Sequence, residues 1–157
     1  MQYPRYLVAL ITPFDESGDL DLDAHGHNVS TLWDAGIRGF VLGGSNGEGP
    51  YLESGERARL ITVAREAAPE AHLMCGIMAE SVRMGLGQVS EAAGADSLLV
   101  LTPTTLSRNR LEVVERYFTA IADAADLPVA LYSVPNTTAF NLPEESVDRL
   151  AKHPNIF

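Results

Sequence analysis

The stretch AGIRGFVLGG, residues 35–44, indicates the fold class of this 157-residue chain. Its Ala-Gly pair ends a helical pattern, and an apolar run begins after a short turn, which is the junction that repeated βα units require. The stretch AGADSLLVLTP, residues 93–103, repeats the arrangement. Both runs are apolar at consecutive positions, so each predicted strand is covered on both faces, as in a parallel sheet.

Three further apolar runs complete a regular alternation of strands and helices. The predicted strands begin at Tyr6, Gly39, His72, Ser97 and Leu127, and the predicted amphipathic helices cover residues 23–35, 54–68, 81–93, 110–125 and 143–152. We expect Ser54 to cap the second helix, because a serine hydroxyl accepts hydrogen bonds from amides of the first turn. The order of elements predicts one α/β domain over residues 1–157.

Two architectures fit this order of elements, and the segment TPFDESGDLD, residues 12–21, distinguishes between them. A doubly wound sheet would normally carry a phosphate-binding loop after its first strand, but this segment is acidic and contains no glycine-rich fingerprint. The sequence therefore predicts a (β/α)8 TIM barrel, of which about five βα units are present. Barrel chemistry lies at the carboxyl ends of the strands. The residues there are Thr12 and Pro13, Gly43–Glu48, Met78–Glu80, Thr102–Thr105 and Tyr132–Thr137.

Composition excludes several classes of partner. The formal net charge of −10 and the pI near 4.7 disfavour nucleic acid and anionic lipid, which are bound mainly by lysine and arginine. There is no apolar run of about 18 residues and no signal-type start, so no membrane segment is predicted. A single cysteine, Cys75, cannot form an internal disulfide, and we expect a cytoplasmic protein.

Two stretches at the predicted strand ends carry groups suited to chemistry. GGSNGEG, residues 43–49, allows backbone amides to approach a ligand and adds the Ser45 hydroxyl and the Asn46 amide, which suit a carboxylate or carbonyl oxygen. A plain βα turn that needs positive φ is the alternative interpretation. In YSVPNTT, residues 132–138, Tyr132 ends a buried strand. It is either a site phenol or a core tyrosine with a satisfied hydroxyl.

Histidines offer no metal site in the sequence. His25 and His27 are two positions apart on a predicted helix and point in different directions, while His72 and His153 flank strands without companion ligands. We therefore predict no metal and no cofactor.

Five motifs follow one another along the chain: ALITPF (9–14), GGSNGE (43–48), GADSLLVLTP (94–103), LYSVP (131–135) and HPNI (153–156). In this order and at these spacings they resemble the dihydrodipicolinate synthase / N-acetylneuraminate lyase superfamily of pyruvate-handling class I aldolases. The resemblance covers essentially the whole chain. It implies a TIM barrel in which a lysine on the sixth strand forms a Schiff base with a 2-oxo acid such as pyruvate.

The resemblance also implies roles for individual residues. Tyr132 matches the tyrosine that relays protons during Schiff-base chemistry. Ser45 and Asn46 match the turn that binds the 2-oxo-acid carboxylate, and Thr12 and Gly44 complete the predicted substrate-binding set. The implied reaction is a reversible aldol cleavage or condensation of a 2-oxo acid with an aldehyde.

Two departures from the family pattern narrow the substrate. Thr137 stands where the synthases usually carry an arginine that binds the aldehyde's carboxylate, and Thr104 and Thr105 replace paired tyrosines. Together they argue against lysine biosynthesis, and the chain looks more like the branch of 4-hydroxy-2-oxoglutarate aldolases. The alternative within the family is a 4-hydroxy-tetrahydrodipicolinate synthase.

The Schiff-base lysine is the third departure. Of eleven basic residues ten are arginine, and the one lysine, Lys152, is expected to be solvated near a helix end. The family lysine follows HPNI by a few residues, so we expect the chain to be the N-terminal part of a barrel, ending in a stub of the sixth strand. The alternative is a non-catalytic fragment or pseudoenzyme that binds a 2-oxo acid. Open strand edges predict homo-oligomers or larger assemblies.

Overall fold

A five-stranded parallel sheet organises the computed structural model, which describes residues 3–105 and 110–157. Its order is β1-β2-β3-β4-β5, without a reversal, so the predicted strand order is confirmed. Every neighbouring pair is parallel. The strands are β1 (Val8–Ala9), β2 (Gly39–Leu42), β3 (His72–Ile77), β4 (Ser97–Leu101) and β5 (Val129–Tyr132).

Six α-helices follow the strands within the described ranges. They are α1 (Leu22–Asp34), α2 (Glu56–Ala67), α3 (Val82–Glu91), α4 (Leu111–Ala124), α5 (Pro135–Thr138) and α6 (Glu144–Leu150). The sequence pattern did not predict α5, a single turn that begins at a proline whose fixed φ suits a first helical position. None of these helices has the length and apolar character needed to cross a membrane.

The helices cover one face of the sheet. Cys75, Leu98 and Val129 are paired in register across β3, β4 and β5, and all three are buried in the core that the helices complete. On the other face Leu99 and Ala130 are only half-buried. Ile11, just after β1, is 62% exposed. A sheet with helices on one face only is the arrangement of a barrel wall.

The start of α2 differs from the prediction. Its N-cap residue is Gly55, with φ of +85°, so Ser54 does not cap the helix. The Ser54 hydroxyl donates instead to Oε1 of Glu91, at 3.0 Å. The Glu56 carboxylate accepts from the Glu53 amide at 2.8 Å, which ties the preceding turn to the first residue of the helix.

The HPNI motif has a structural role at the edge of β5. The Val129 amide donates to the Asn155 carbonyl at 2.8 Å, and the Phe157 amide donates to the Val129 carbonyl at 3.0 Å. The Asn155 side-chain amide donates to the carbonyls of Ala122, Ala125 and Leu127. The motif therefore begins parallel pairing beside β5 and ties the end of α4 to that strand.

His25 predicts a pH-dependent stability. It is 1% exposed, its Nε2 lies 3.2 Å from the Leu60 carbonyl, and its Nδ1 has no partner within the described part of the chain. Burial lowers the pKa of His25 below its ordinary value of 6.5, against the opposing hydrogen bond to Leu60. The unfolded chain then binds the proton more readily, so stability is full above the ordinary pKa and falls below it, by at most about 1.4 kcal/mol per pH unit.

We expect His25→Gln to show a smaller loss of unfolding free energy between pH 7.5 and pH 5.5 than the wild type, as measured by urea denaturation. The exposed His27 on the same helix provides the control, since His27→Gln is expected to retain the wild-type pH dependence. An unchanged pH dependence in His25→Gln would show that His25 is not the group that titrates.

Candidate functional site

The carboxyl ends of the five parallel strands place the predicted site residues at one edge of the sheet. Thr12 follows β1, Ser45 and Asn46 follow β2, and Tyr132 ends β5. Among the described residues, no hydrogen bond joins the Tyr132 side chain to Ser45 or Asn46. The structure therefore brings these residues to a shared edge, where the Thr12 side chain hydrogen-bonds to the glycine-rich turn.

The glycine-rich turn, residues 43–49, is closed by its own backbone. The amides of Gly47 and Gly49 both donate to the Gly44 carbonyl, at 3.1 and 3.0 Å. The buried Thr12 hydroxyl donates to the Gly47 carbonyl at 2.6 Å, which attaches the end of β1 to the turn. Thr12 thus supports the turn, and its predicted contact with substrate stays a prediction.

Two backbone amides of this turn have no protein acceptor. Within residues 3–105 and 110–157, the N–H groups of Ser45 and Asn46 donate no hydrogen bond, and both residues are exposed. Successive backbone amides without a protein acceptor can bind an anion when they converge on it. The Ser45 hydroxyl and the Asn46 side chain add further polar groups, so the turn can bind a carboxylate.

Close backbone packing beneath the turn requires glycine. A Cβ on Gly49 would lie 2.0 Å from the Gly43 carbonyl oxygen, and one on Gly76 would lie 2.3 Å from the same atom. Gly43 itself has φ of +59°. The backbone at the end of β3 therefore packs directly against the backbone of the turn, and no side chain fits between them.

A buried arginine lies against the same glycines. Arg57 on α2 is 3% exposed, donates from Nη2 to the Gly49 carbonyl, and donates from Nε to the Gly76 carbonyl at 3.4 Å. Arg57 is not among the site residues predicted from the sequence. The signal was present, because Arg57 occupies the helical position that Leu60, Ile61 and Ala64 continue at the apolar spacing of i+3, i+4 and i+7.

Glu80 anchors the loop that follows β4. Its carboxylate accepts hydrogen bonds from the amides of Thr104 and Thr105, at 3.0 and 2.7 Å, and from the Thr104 hydroxyl at 2.5 Å. Desolvation alone would raise the pKa of Glu80, but these hydrogen bonds outweigh it and leave the pKa lowered. Glu80 is therefore an ionised anchor, a role that its position among the predicted strand-end residues did not reveal.

The three threonines that depart from the family pattern are neighbours. A cavity of about 480 Å³ is lined by Thr104, Thr105, Thr137, Thr138 and Ala139. The Thr138 hydroxyl is turned inward and donates to the Val134 carbonyl at 3.1 Å. The cavity wall is small and polar, and within the described ranges no basic side chain lines it.

Tyr132 is anchored through its backbone. Its carbonyl accepts from the Thr102 amide at 3.2 Å and from the Thr102 hydroxyl at 3.4 Å. The side chain is half-buried, and no hydrogen bond of its hydroxyl is found in the part of the chain that the structure describes. The phenol is thus held at the strand end, and none of the described residues takes up its hydroxyl.

Lys152 does not lie at the edge of the sheet that holds the predicted site residues. It is exposed in the turn after α6, and its amide donates to the Arg149 carbonyl at 3.3 Å. The turn precedes the pairing of Ile156 with Val129 at the amino end of β5, whereas Tyr132 is at the carboxyl end. The expectation of a solvated lysine is met by this exposure.

A larger cavity, of about 840 Å³, lies at the opposite edge of the sheet and includes Arg38, Arg65 and His72 in its lining. Arg38 and Arg65 donate to carbonyls of the surrounding loops, and Arg65 also pairs with Asp96 at 2.7 Å. Because barrel chemistry lies at the carboxyl ends of strands, this amino-end cavity has no part in the candidate site.

Residues 2–157 match the Dihydrodipicolinate synthetase family. A similar curated protein is 4-hydroxy-tetrahydrodipicolinate synthase 1 of Streptomyces coelicolor, 40% identical over 98% of this chain and 51% of its own length. The corresponding synthase of Mycobacterium leprae is 37% identical over 96% of this chain and 51% of its own length. The chain thus spans about half the length of the curated relatives it matches.

Solved structures give the same picture. The dihydrodipicolinate synthase of Agrobacterium tumefaciens matches with a TM-score of 0.88 and 34% identity, over 95% of this chain and 51% of that one. The chloride-inhibited dihydrodipicolinate synthase of Acinetobacter baumannii, in complex with pyruvate, matches with a TM-score of 0.90 and 30% identity, over 96% of this chain and 52% of that one. These similarities confirm that the sheet is part of a TIM barrel.

Proposed function

Because the chain belongs to the dihydrodipicolinate synthetase family, we propose that the protein is a lyase of the Schiff-base aldolase type. It would catalyse the reversible aldol cleavage or condensation of a 2-oxo acid, such as pyruvate, with an aldehyde. The observation that carries this proposal is the glycine-rich turn, where the amides of Ser45 and Asn46, which have no acceptor among the described residues, lie at the same sheet edge as Tyr132.

The proposed chemistry assigns a distinct task to each group. The turn binds the 2-oxo-acid carboxylate, and Gly44 closes the turn by accepting from Gly47 and Gly49. An amine attacks the ketone carbon, and water leaves as the Schiff base forms. Loss of a methyl proton gives an enamine, whose carbon bonds to the aldehyde carbon while the aldehyde oxygen takes up a proton. Water then hydrolyses the Schiff base, which releases the product and restores the amine; cleavage follows the same steps in reverse. Tyr132 moves protons to and from the carbinolamine and the aldehyde-derived hydroxyl. No metal or cofactor is required for this sequence of steps.

The amine must come from a lysine other than Lys152, which is exposed and remote from the turn. We place that lysine outside residues 1–157. This assignment agrees with a chain that spans about half the length of its curated relatives. Residues 1–157 alone would then bind a 2-oxo acid without activating its carbonyl.

Borohydride reduction in the presence of pyruvate tests the proposal. We expect the full-length gene product to acquire one covalent adduct per chain, located by peptide mass mapping on a lysine outside this sequence. The 157-residue chain is expected to acquire none. An adduct on Lys152 would contradict the assignment of the amine, and no adduct in the full-length product would favour a non-catalytic 2-oxo-acid-binding protein.

A 4-hydroxy-tetrahydrodipicolinate synthase is the second candidate, favoured by the names of the similar curated proteins. Against it stands the threonine-lined cavity, where Thr137 occupies the place of the arginine expected to bind an aldehyde's carboxylate. We therefore favour the branch of 4-hydroxy-2-oxoglutarate aldolases. Condensation assays with pyruvate would compare an aldehyde that carries an amino-acid group with an aldehyde that is itself a simple 2-oxo acid. A higher kcat/KM for the first would favour the synthase, and a higher kcat/KM for the second would favour the 4-hydroxy-2-oxoglutarate aldolase.

We also propose a homo-oligomer that acts in the cytoplasm. Exposed apolar side chains on the described surface support self-association, among them Tyr51 and Met84. The single cysteine, Cys75, is buried and unpaired, which agrees with a reducing compartment.

A further inference from the structure

We propose that Arg57 is a positioning residue for the carboxylate-binding turn, and that its buried charge makes the turn selective for anionic 2-oxo acids. The inference rests on the proposed function, because it concerns the same turn. It adds a residue that does not touch the ligand and that lies on a helix behind the site.

The position of Arg57 is set by two backbone carbonyls. Its guanidinium donates to Gly49 at the end of the turn and to Gly76 near the end of β3, so one side chain joins two neighbouring strand ends. Gly49 is held from its other side by its own amide, which donates to the Gly44 carbonyl at 3.0 Å. The distance from Gly44 to Gly49 is therefore fixed, and with it the conformation of Ser45 and Asn46 between them.

The charge of Arg57 is only weakly balanced. Within the described ranges, Glu91 is the one carboxylate within 4.0 Å, and its Oε2 lies 3.9 Å from Nη1 of Arg57. The same Oε2 makes no hydrogen bond to the described residues. The other oxygen of Glu91 accepts from Ser54 at 3.0 Å. The guanidinium thus makes its closer contacts with neutral carbonyls.

The surroundings do not supply a second negative charge. Cys75 is 1% exposed, and burial raises its pKa to about 12, so its thiol remains neutral at physiological pH. Burial lowers the pKa of Arg57, against the nearby Cys75, Glu91 and Glu56, yet arginine remains protonated in proteins. A positive charge in a low-dielectric position acts over a longer distance than one in water. An anion bound at the turn would supply the missing compensation.

Lysine and methionine separate the two parts of the proposal. Arg57→Lys retains the charge but loses the fork that reaches two carbonyls, whereas Arg57→Met loses both the charge and the hydrogen bonds. Glu91→Gln removes the partial counter-charge and leaves Arg57 in place. A purely structural arginine would make every one of these changes neutral or harmful for all ligands alike.

The experiment measures borohydride trapping in the full-length gene product as a function of pyruvate or methyl pyruvate concentration. Pyruvate carries the carboxylate, and methyl pyruvate is its uncharged ester. We expect Arg57→Met to raise the half-saturating pyruvate concentration about tenfold and that of methyl pyruvate no more than about twofold. Arg57→Lys is expected to have an intermediate selectivity.

Glu91→Gln is expected to change the half-saturating pyruvate concentration in the opposite direction. It is expected to lower the half-saturating pyruvate concentration about two- to threefold without changing that of methyl pyruvate. The exposed Glu70, at the opposite edge, provides the matched control, since Glu70→Gln is expected to change neither value. Because Glu91→Gln retains Arg57, the test does not depend on the folding of the arginine variants.

Equal weakening of both ligands in Arg57→Met, or a Glu91→Gln variant that binds pyruvate no better than wild type, would overturn the selective role of the charge. Wild-type protein that traps neither ligand would instead overturn the proposed function, and this inference with it. The two failures are distinguished by the wild-type reaction alone.

Discussion

Replacement of Tyr132 by phenylalanine is expected to lower turnover by about 10²- to 10⁴-fold while leaving the affinity for pyruvate nearly unchanged. Tyr132 is the last residue of β5 at the sheet edge, where its backbone carbonyl accepts two hydrogen bonds from Thr102. Phenylalanine keeps the ring and the backbone contacts and removes only the hydroxyl. Under the proposed function, the change therefore removes the proton relay and leaves the proposed carboxylate-binding turn undisturbed.

The exchange of pyruvate methyl protons in D₂O, followed by NMR, measures this effect without knowledge of the aldehyde partner. The full-length gene product is expected to catalyse exchange through its Schiff base, and Tyr132→Phe to lose most of that rate. Tyr6, which is 78% exposed near the amino end of the chain, gives the control variant Tyr6→Phe with the wild-type rate. A Tyr132→Phe variant with most of its exchange rate would remove Tyr132 from the mechanism.

Replacement of Gly49 by alanine is expected to abolish pyruvate binding and to destabilise the fold by about 1–3 kcal/mol. The new Cβ would lie 2.0 Å from the Gly43 carbonyl oxygen, and a backbone atom cannot rotate away as a side chain can. The turn must move as a unit. Its movement would break the hydrogen bond from the Gly49 amide to Gly44 and the contact from Arg57 to the Gly49 carbonyl.

Gly87→Ala is the matched control for this substitution. Gly87 is exposed on α3, and a Cβ there would meet nothing within 4 Å. Alanine is expected to stabilise the helix by about 0.5–1 kcal/mol and to leave binding unchanged. Thermal unfolding and the half-saturating pyruvate concentration for trapping measure both quantities. Gly49→Ala with wild-type affinity would show that residues 43–49 do not form the carboxylate site.

The sequence by itself determined the order and direction of the strands. Continuous apolar runs predict strands that are covered on both faces. A helix between two successive strands makes the shortest connection when the strands are parallel neighbours, so β1 to β5 follow the chain order. It also located the turn of residues 43–49, because glycine and small polar residues at a strand end are a local signal. Element ends were less well determined: Gly55, not Ser54, caps α2, because a left-handed glycine moved the boundary.

Only the tertiary structure decided which distant residues act together. Arg57 meets Gly76 across 19 positions, Glu80 meets Thr104 across 24, and Thr12 meets Gly47 across 35. Each pair depends on the register between strands and on the packing of the helices behind them. Local sequence spacing encodes neither the register nor the packing. A charged residue at a buried helical position can be recognised in the sequence. The carbonyls that stabilise it are known only when the strands are in place, because backbone groups look alike in every sequence.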